Sequence, residues 1–397
     1  MTTKTFAAAT VVMLTTATWL YAKGGGAPAG RCTVEVTATV TPNPAPDPYR
    51  TTTRRRPVDL VICLDTSGSM TALIDSARAK LWEIVNEVTK EEPTPRLRVG
   101  LLTYGSPSNS THSRGWIVRH TDLTSDLDTA YARMMSMNTN GGDEFVGWVL
   151  HDALRTMSWS TDPDAVRLIF VAGNESADQA AHIYNFRHVA ESARARGIFI
   201  NSIYAGDRGQ GIRERWDQVA VHGGGRYFAI DAQYGTDQIS TPLDKILIEL
   251  NAKLNATYIP FGERGAAGAA NQREQDRNAA KLGQQSATSR VTAKSSEVYD
   301  NSDWDLVDAA EKEGVAVEEL PATVLPPVMQ AMAPEERGAY VAEKKEERAR
   351  IQRQIQDLSQ QRSDLLEAAT ARGRDGRTSL DDAVRSVVRE QLDSNQP

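Results

Sequence analysis

Val58-Asp59-Leu60-Val61-Ile62-Cys63-Leu64-Asp65-Thr66-Ser67-Gly68-Ser69-Met70 decides the fold. Its apolar run, closed by turn residues, fits a strand buried on both faces, as in a parallel sheet. Helical spacing begins directly afterwards at Leu73, Ala77, Leu81, Ile84, Val85 and Val88, and Pro93 and Pro95 end that helix. The alternation continues along the chain. Strands are expected over 97–104, 168–172, 198–204 and 227–230, with another starting at 116–118; helices are expected over 145–157, 177–196, 212–219 and 243–254. Strands and helices in this order predict an α/β fold, a doubly wound and mostly parallel sheet with helices on both faces.

The chemistry sits where the first strand ends. Asp65, Ser67 and Ser69 offer hard oxygen donors at alternate positions, suited to a divalent cation such as Mg²⁺. In open α/β sheets the carboxyl ends of the strands are where ligands bind. The plainer account is that these residues cap the following helix. Capping does not explain an Asp-x-Ser-x-Ser order at the end of so apolar a strand.

This string, with Gly68 and Met70, resembles the metal-ion-dependent adhesion site, or MIDAS, of von Willebrand factor type A (VWA) domains. The resemblance covers about 57–254. It implies a Rossmann-like sheet with one antiparallel edge strand, a cation (Mg²⁺, or Mn²⁺ or Ca²⁺) above the sheet, and coordination completed by an acidic side chain of a protein partner. Two positions depart from the family. Where a Thr usually follows a Gly pair, Asn140-Gly141-Gly142 is followed by Asp143, with Thr139 as the nearby hydroxyl and a further candidate ligand. Where an Asp usually ends the fourth strand, Gly173 or Asn174 stands, and an amide oxygen ligates without charge. The expected ligand set is therefore Asp65, Ser67, Ser69, Asp143 and Asn174. A degenerate site that keeps the fold and has lost the metal is the alternative.

Other motifs carry less. Gly141-Gly142-Asp143-Glu144-Phe145 spells the diguanylate cyclase signature, which in those enzymes forms a hairpin, whereas here it precedes a helix. The six histidines follow no zinc-protease spacing, and no serine occupies a Gly-x-Ser-x-Gly elbow, so no catalytic role is assigned. A net charge of −7, with Arg54, Arg55 and Arg56 as the compact basic run, argues against nucleic acid as a partner.

Residues 1–29 read as a signal peptide or N-terminal anchor: Lys4 precedes an uncharged stretch over 6–22, then Gly24, Gly25 and Gly26 and a small-residue cleavage pattern. Either form places the rest of the chain outside the cytoplasm, in the manner of a bacterial-type periplasmic, secreted or membrane-anchored protein. A short strand and Pro-rich linker fill 30–56, and the VWA domain is expected over 57–255. The two cysteines, Cys32 and Cys63, exclude a disulfide framework, and Cys63 reads as a small core hydrophobe. Residues 256–300, poor in bulky apolar groups, are expected to form a linker, and 301–397 a helical region. On a charged helix from 335 to about 371, Val341, Ile351, Ile355, Leu358 and Leu365 approximate a coiled-coil seam that Lys344, Arg348 and Arg362 interrupt. Packing against another part of the chain fits this pattern better than a long coiled coil. The expected function is metal-dependent binding of an acidic group on a partner protein. The alternative is an adaptor or chaperone-like subunit of an envelope enzyme or secretion machine.

Overall fold

The computed structural model describes residues 55–90, 93–107, 111–230, 240–370, 386–387 and 390–391. The expected leader with its 6–22 segment, Cys32, the Pro-rich stretch to residue 54 and most of 371–397 lie outside the described residues. Six strands, β1 (Pro57–Asp65), β2 (Arg96–Tyr104), β3 (Val118–Thr124), β4 (Val166–Gly173), β5 (Ile198–Ala205) and β6 (Gly224–Ile230), form one sheet in the order β3-β2-β1-β4-β5-β6. Every neighbouring pair is parallel except β2–β3, which is antiparallel at the sheet edge. This is the doubly wound, mostly parallel Rossmann-like sheet with one antiparallel edge strand that the sequence predicts.

The helices are α1 (Thr71–Val88), α2 (Leu127–Met135), α3 (Val146–Thr156), α4 (Phe186–Ala195), α5 (Arg208–Arg213), α6 (Trp216–Gly223) and α7 (Leu243–Asn255), then α8 (Gly265–Lys281), α9 (Gln284–Lys294), α10 (Leu306–Lys312), α11 (Pro327–Gln330) and α12 (Pro334–Thr370). The continuous apolar reading of β1 follows from its place at the centre. Leu60, Ile62 and Leu64 pack with α1 and α2, while Val61 and Cys63 pack with α3, α4 and α6. Cys63 is a free thiol inside that second core, and burial pushes its pKa up.

Three local expectations need correction. The helix predicted over 177–196 exists only as α4: Ala180 has φ +52°, which breaks helical continuity, and the Asn185 side chain caps the helix by accepting from the Arg187 amide at 3.0 Å. The helix predicted over 212–219 is two, α5 and α6, separated by Arg215 at φ +68°. Helix α2 was not anticipated, although Leu127, Ala130, Tyr131 and Met134 are buried at helical spacing behind the Asp126 cap.

The larger correction concerns 256–300. That stretch is not a connector but carries two helices, α8 and α9, packed onto the sheet's own core through Ala279, Ala293, Val298 and Tyr299. Its polar composition misled because much of what it buries is charged. Arg290 and Lys294 are 1% and 0% exposed, and Arg290 donates to Asp128 of α2 at 2.6 Å. Small residues permit close approach: a Cβ on Gly268 would lie 2.4 Å from the Trp304 ring.

Helix α12 packs within the chain, its Ile351 and Ile355 meeting Leu247, Leu250 and Leu254 of α7. The arginines that interrupt its seam are what dock it. Arg348 reaches Asp305, Asp308 and Thr257, and Arg362 reaches Asp244. The described residues from 55 onward accordingly belong to one compact unit. No helix among the described residues is long and apolar enough to cross a membrane.

Candidate metal centre

Asp65 is the last residue of β1, and Asn174 directly follows β4. The two strands are neighbours, yet the chain continues from β1 to β2 on one side and from β4 to β5 on the other. That divergence opens a crevice at the carboxyl ends of the strands.

A row of oxygen atoms crosses the crevice. The Ser67 amide donates to Asp65 Oδ1 at 2.6 Å, and the Ser67 hydroxyl donates to Asp65 Oδ2 at 2.9 Å. Ser67 Oγ lies 3.1 Å from Ser69 Oγ, which donates to Asn174 Oδ1 at 3.2 Å. Capping does not account for these side chains: Ser67 makes no cap hydrogen bond to the turn that follows it, and the residue preceding α1 is Met70. The surrounding backbone is fitted to the carboxylate. Gly105 has φ +80°, and a Cβ there would stand 2.4 Å from Asp65 Oδ1, so only glycine fits. The Asn140 amide donates to the Thr66 carbonyl at 2.9 Å and draws the following loop against the end of β1.

The structure therefore brings together Asp65, Ser67, Ser69 and Asn174. Asn174, and not Gly173, supplies the side chain after β4, because a Cβ on Gly173 would collide with Trp216 and the Tyr104 hydroxyl at 2.8 Å. Asp143 is exposed, and no hydrogen bond or ion pair among the described residues joins it to the group. Thr139 stands one contact away, its hydroxyl 3.0 Å from that of Thr71. The Gly141–Phe145 stretch is a loop ahead of α3 and forms no hairpin.

Sequence reasoning missed Glu144. Its side chain is 1% exposed and lies within hydrogen-bonding reach of Asp65 and Ser67, while its Oε2 accepts from the Glu175 amide at 3.2 Å. Burial, and then the charge of Glu144, push the Asp65 pKa well above the ordinary carboxylate range, with the Ser67 bonds pulling the other way. Burial also raises the pKa of Glu144, against its hydrogen bond to Asp65. Two buried acids side by side favour the protonated form of one of them. The available signal was the adjacency of Asp143 and Glu144 after a Gly pair, where only one of two successive side chains can face the crevice.

The donor set suits a hard cation in kind: two carboxyls, two hydroxyls and an amide oxygen. Glu144 Oε1 is buried without a hydrogen-bond partner, an acceptor that a cation or a shared proton would satisfy. Among the described residues no cluster of three or more His, Cys, Asp or Glu side chains is placed to hold a metal ion, so hydroxyl and amide oxygens must complete any coordination here.

No family model matches the chain, and no curated protein matches it. Solved structures align with it at low identity. Proximal thread matrix protein 1 from the mussel byssus, solved with a zinc-occupied MIDAS motif, is 11% identical over 45% of this chain and 43% of its own, with a TM-score of 0.34. The SpRpn10 VWA domain is 15% identical over 43% of this chain and 87% of its own, with a TM-score of 0.34. The pilus adhesin SpaC from Lactobacillus rhamnosus GG is 15% identical over 45% of this chain and 28% of its own, with a TM-score of 0.35. This chain thus spans less than half the length of the mussel protein and less than a third of the adhesin. The fold class rests on the strand order and register given above.

Proposed function

We propose that this chain is an exported protein-binding protein that captures an acidic group of a partner through a divalent cation, Mg²⁺ in the first instance. Asp65, Ser67 and Ser69 hold the ion, with Glu144 and Asn174 beside them, and a coordination position stays open for the partner's carboxylate. The observation that carries this reading is the row of oxygens from Asp65 through Ser67 and Ser69 to Asn174, with successive contacts of 2.9, 3.1 and 3.2 Å. Exposed Asp143 contributes to the negative field that draws a cation in. The ion's chemistry is Lewis acidity toward an incoming oxygen; the protein supplies position and exclusion of bulk water. We read the role as binding and not catalysis, since the serine hydroxyls are engaged with Asp65 and Asn174 and no histidine among the described residues is hydrogen-bonded to either serine.

A second reading is favoured by one observation. Asp65 already accepts from both the Ser67 amide and the Ser67 hydroxyl, and burial beside Glu144 favours its protonated form, so the crevice can stand without metal. In that case the chain is an adaptor whose former site serves as structure. Calorimetric titration of Mg²⁺ into the full chain, beside co-purification from envelope extracts with and without chelator, separates the two. Saturable Mg²⁺ binding lost in Asp65→Ala, together with chelator-sensitive partners, supports the first; no binding heat and chelator-insensitive partners support the second.

A further inference from the structure

A second polar group, unrelated to the crevice, lies between α7, α8 and α9, with Asn251, Asn255 and Asp276 half-buried. Lys294 is fully buried, and its Nζ donates to Asn255 Oδ1 at 2.5 Å, to Asn251 Oδ1 at 2.8 Å and to the Asp276 carboxylate at 3.0 and 3.1 Å. Asp276 Oδ2 in turn accepts from Asn255 Nδ2 at 2.7 Å and from Asn251 Nδ2 at 3.0 Å. Arg290 Nε fixes the other carboxylate oxygen at 2.6 Å. One carboxylate therefore touches both an amine and the nitrogen of a carboxamide whose oxygen already receives that amine.

Such an arrangement exceeds what an ion pair requires. A buried lysine is neutralised by a single aspartate; here two carboxamides also wrap it, each with its oxygen on the amine and its nitrogen on the acid. Burial favours the uncharged amine and pushes the Lys294 pKa down to about 8, against the attraction of Asp276. A nucleophile, an acyl carbon and a carboxylate that Lys294 and Arg290 keep ionised are thus held in contact, where reacting groups behave as if highly concentrated.

We propose that Lys294 and Asn255 become joined by an intramolecular amide bond, with Asp276 relaying the proton. Nζ attacks Cγ of Asn255, the Nζ–Cγ bond forms and the Cγ–Nδ2 bond breaks. Two of the three ammonium protons pass by way of Asp276 to Nδ2, which departs as an ammonium ion. An ammonium and a carboxamide give a secondary amide and an ammonium ion, with nothing oxidised or reduced. Asn255 is the acceptor because both its contact to Nζ and its contact to Asp276 are shorter than those of Asn251. The bond ties the end of α7 to the end of α9, closing a segment with a residue separation of 39.

Peptide mapping of the full chain tests this. Trypsin is expected to leave Lys294 uncut and to release one branched peptide joining 254–264 to 291–312, lighter by one ammonia, about 17 Da, than the two peptides together. Asn255→Ala, Lys294→Arg and Asp276→Asn should each abolish it. Cleavage after Lys294 in the unaltered chain, with 254–264 at its unmodified mass, overturns the proposal whether or not the variants fold. A branch onto 246–253 overturns the choice of Asn255.

Discussion

Asp65 and Glu144, both buried, bring their carboxyl groups side by side at the carboxyl edge of the sheet, and burial together with the charge of Glu144 pushes the Asp65 pKa up. Two buried carboxyls so close favour a proton on one of them. Because the folded chain raises the Asp65 pKa above its unfolded value, it keeps a proton that the unfolded chain has released, and stability falls as pH rises. In chelator, denaturant midpoints should therefore decline from the ordinary carboxylate range near about pH 4 upward, through the raised Asp65 value. Asp65→Asn should flatten that decline. An unchanged slope in the variant would remove Asp65 from the account.

If the proposed cation displaces the proton that burial favours on Asp65, millimolar Mg²⁺ or Mn²⁺ should raise the thermal midpoint of the full chain, and more so at higher pH. Asp65→Ala should abolish the rise. Asn174→Asp restores a unit charge beside the ion and should tighten Mg²⁺ by at least about tenfold in calorimetry. Equal affinities for the two proteins would place Asn174 outside the coordination.

Gly105→Ala should act on the same site from behind. The added methyl group collides with Asp65 Oδ1, and φ at this position is +80°. A loss of about 1–3 kcal/mol in denaturant unfolding is expected, together with a weaker response to Mg²⁺. A neutral result would mean that the Asp65 carboxylate shifts freely.

Arg348 is 4% exposed and joins α12 to Asp305, Asp308 and Thr257. Removing one partner of a buried ionic group strands the others, so Arg348→Ala should lower unfolding free energy by about 3–5 kcal/mol. Arg277→Ala, which removes an exposed intrahelical pair with Glu274, should leave the unfolding free energy nearly unchanged. Comparable losses in the two variants would contradict the burial argument.

Truncation after residue 256 should not leave a stable sheet domain. It strips Ala279, Ala293, Val298 and Tyr299 from the core and leaves Asp128 buried without Arg290. The fragment is expected to bind a hydrophobic dye and to unfold at lower temperature than the full chain. A fragment as stable as the whole would show that α8 and α9 are dispensable.

How much of this the sequence disclosed depended on what kind of group was being buried. β1 was legible because apolar strands announce themselves, and Asp65, Ser67 and Ser69 because their alternation survives in the structure as successive hydrogen bonds. The role of Glu144 was not, since no periodicity runs through the Gly141-Gly142 loop to say which of two adjacent acids turns inward. Helices α8 and α9 were misjudged for a different reason. Hydropathy assigns Arg290, Lys294 and Asp276 to the surface, whereas their mutual pairing makes burial tolerable. The interrupted seam of α12 was read correctly as intramolecular packing, yet Arg348 and Arg362 act there as anchors, not as faults.

The contact between Asp128 and Tyr299, a 2.6 Å hydrogen bond spanning 171 residues, also fixes when the molecule can become whole. A chain emerging from its N-terminus can pair β1 with β2 and lay α1 and α2 on the sheet early, but the outer faces of α1 and α2 stay uncovered until α8, α9 and the turn beyond have emerged. Asp244 waits further still, for Arg362, 118 residues downstream. Ties of such long range must close large loops before they are rewarded, which makes completion a late and slow event. Until the last third of the chain arrives, the outer faces of α1 and α2, with Asp128 among them, stand open to water and to other chains.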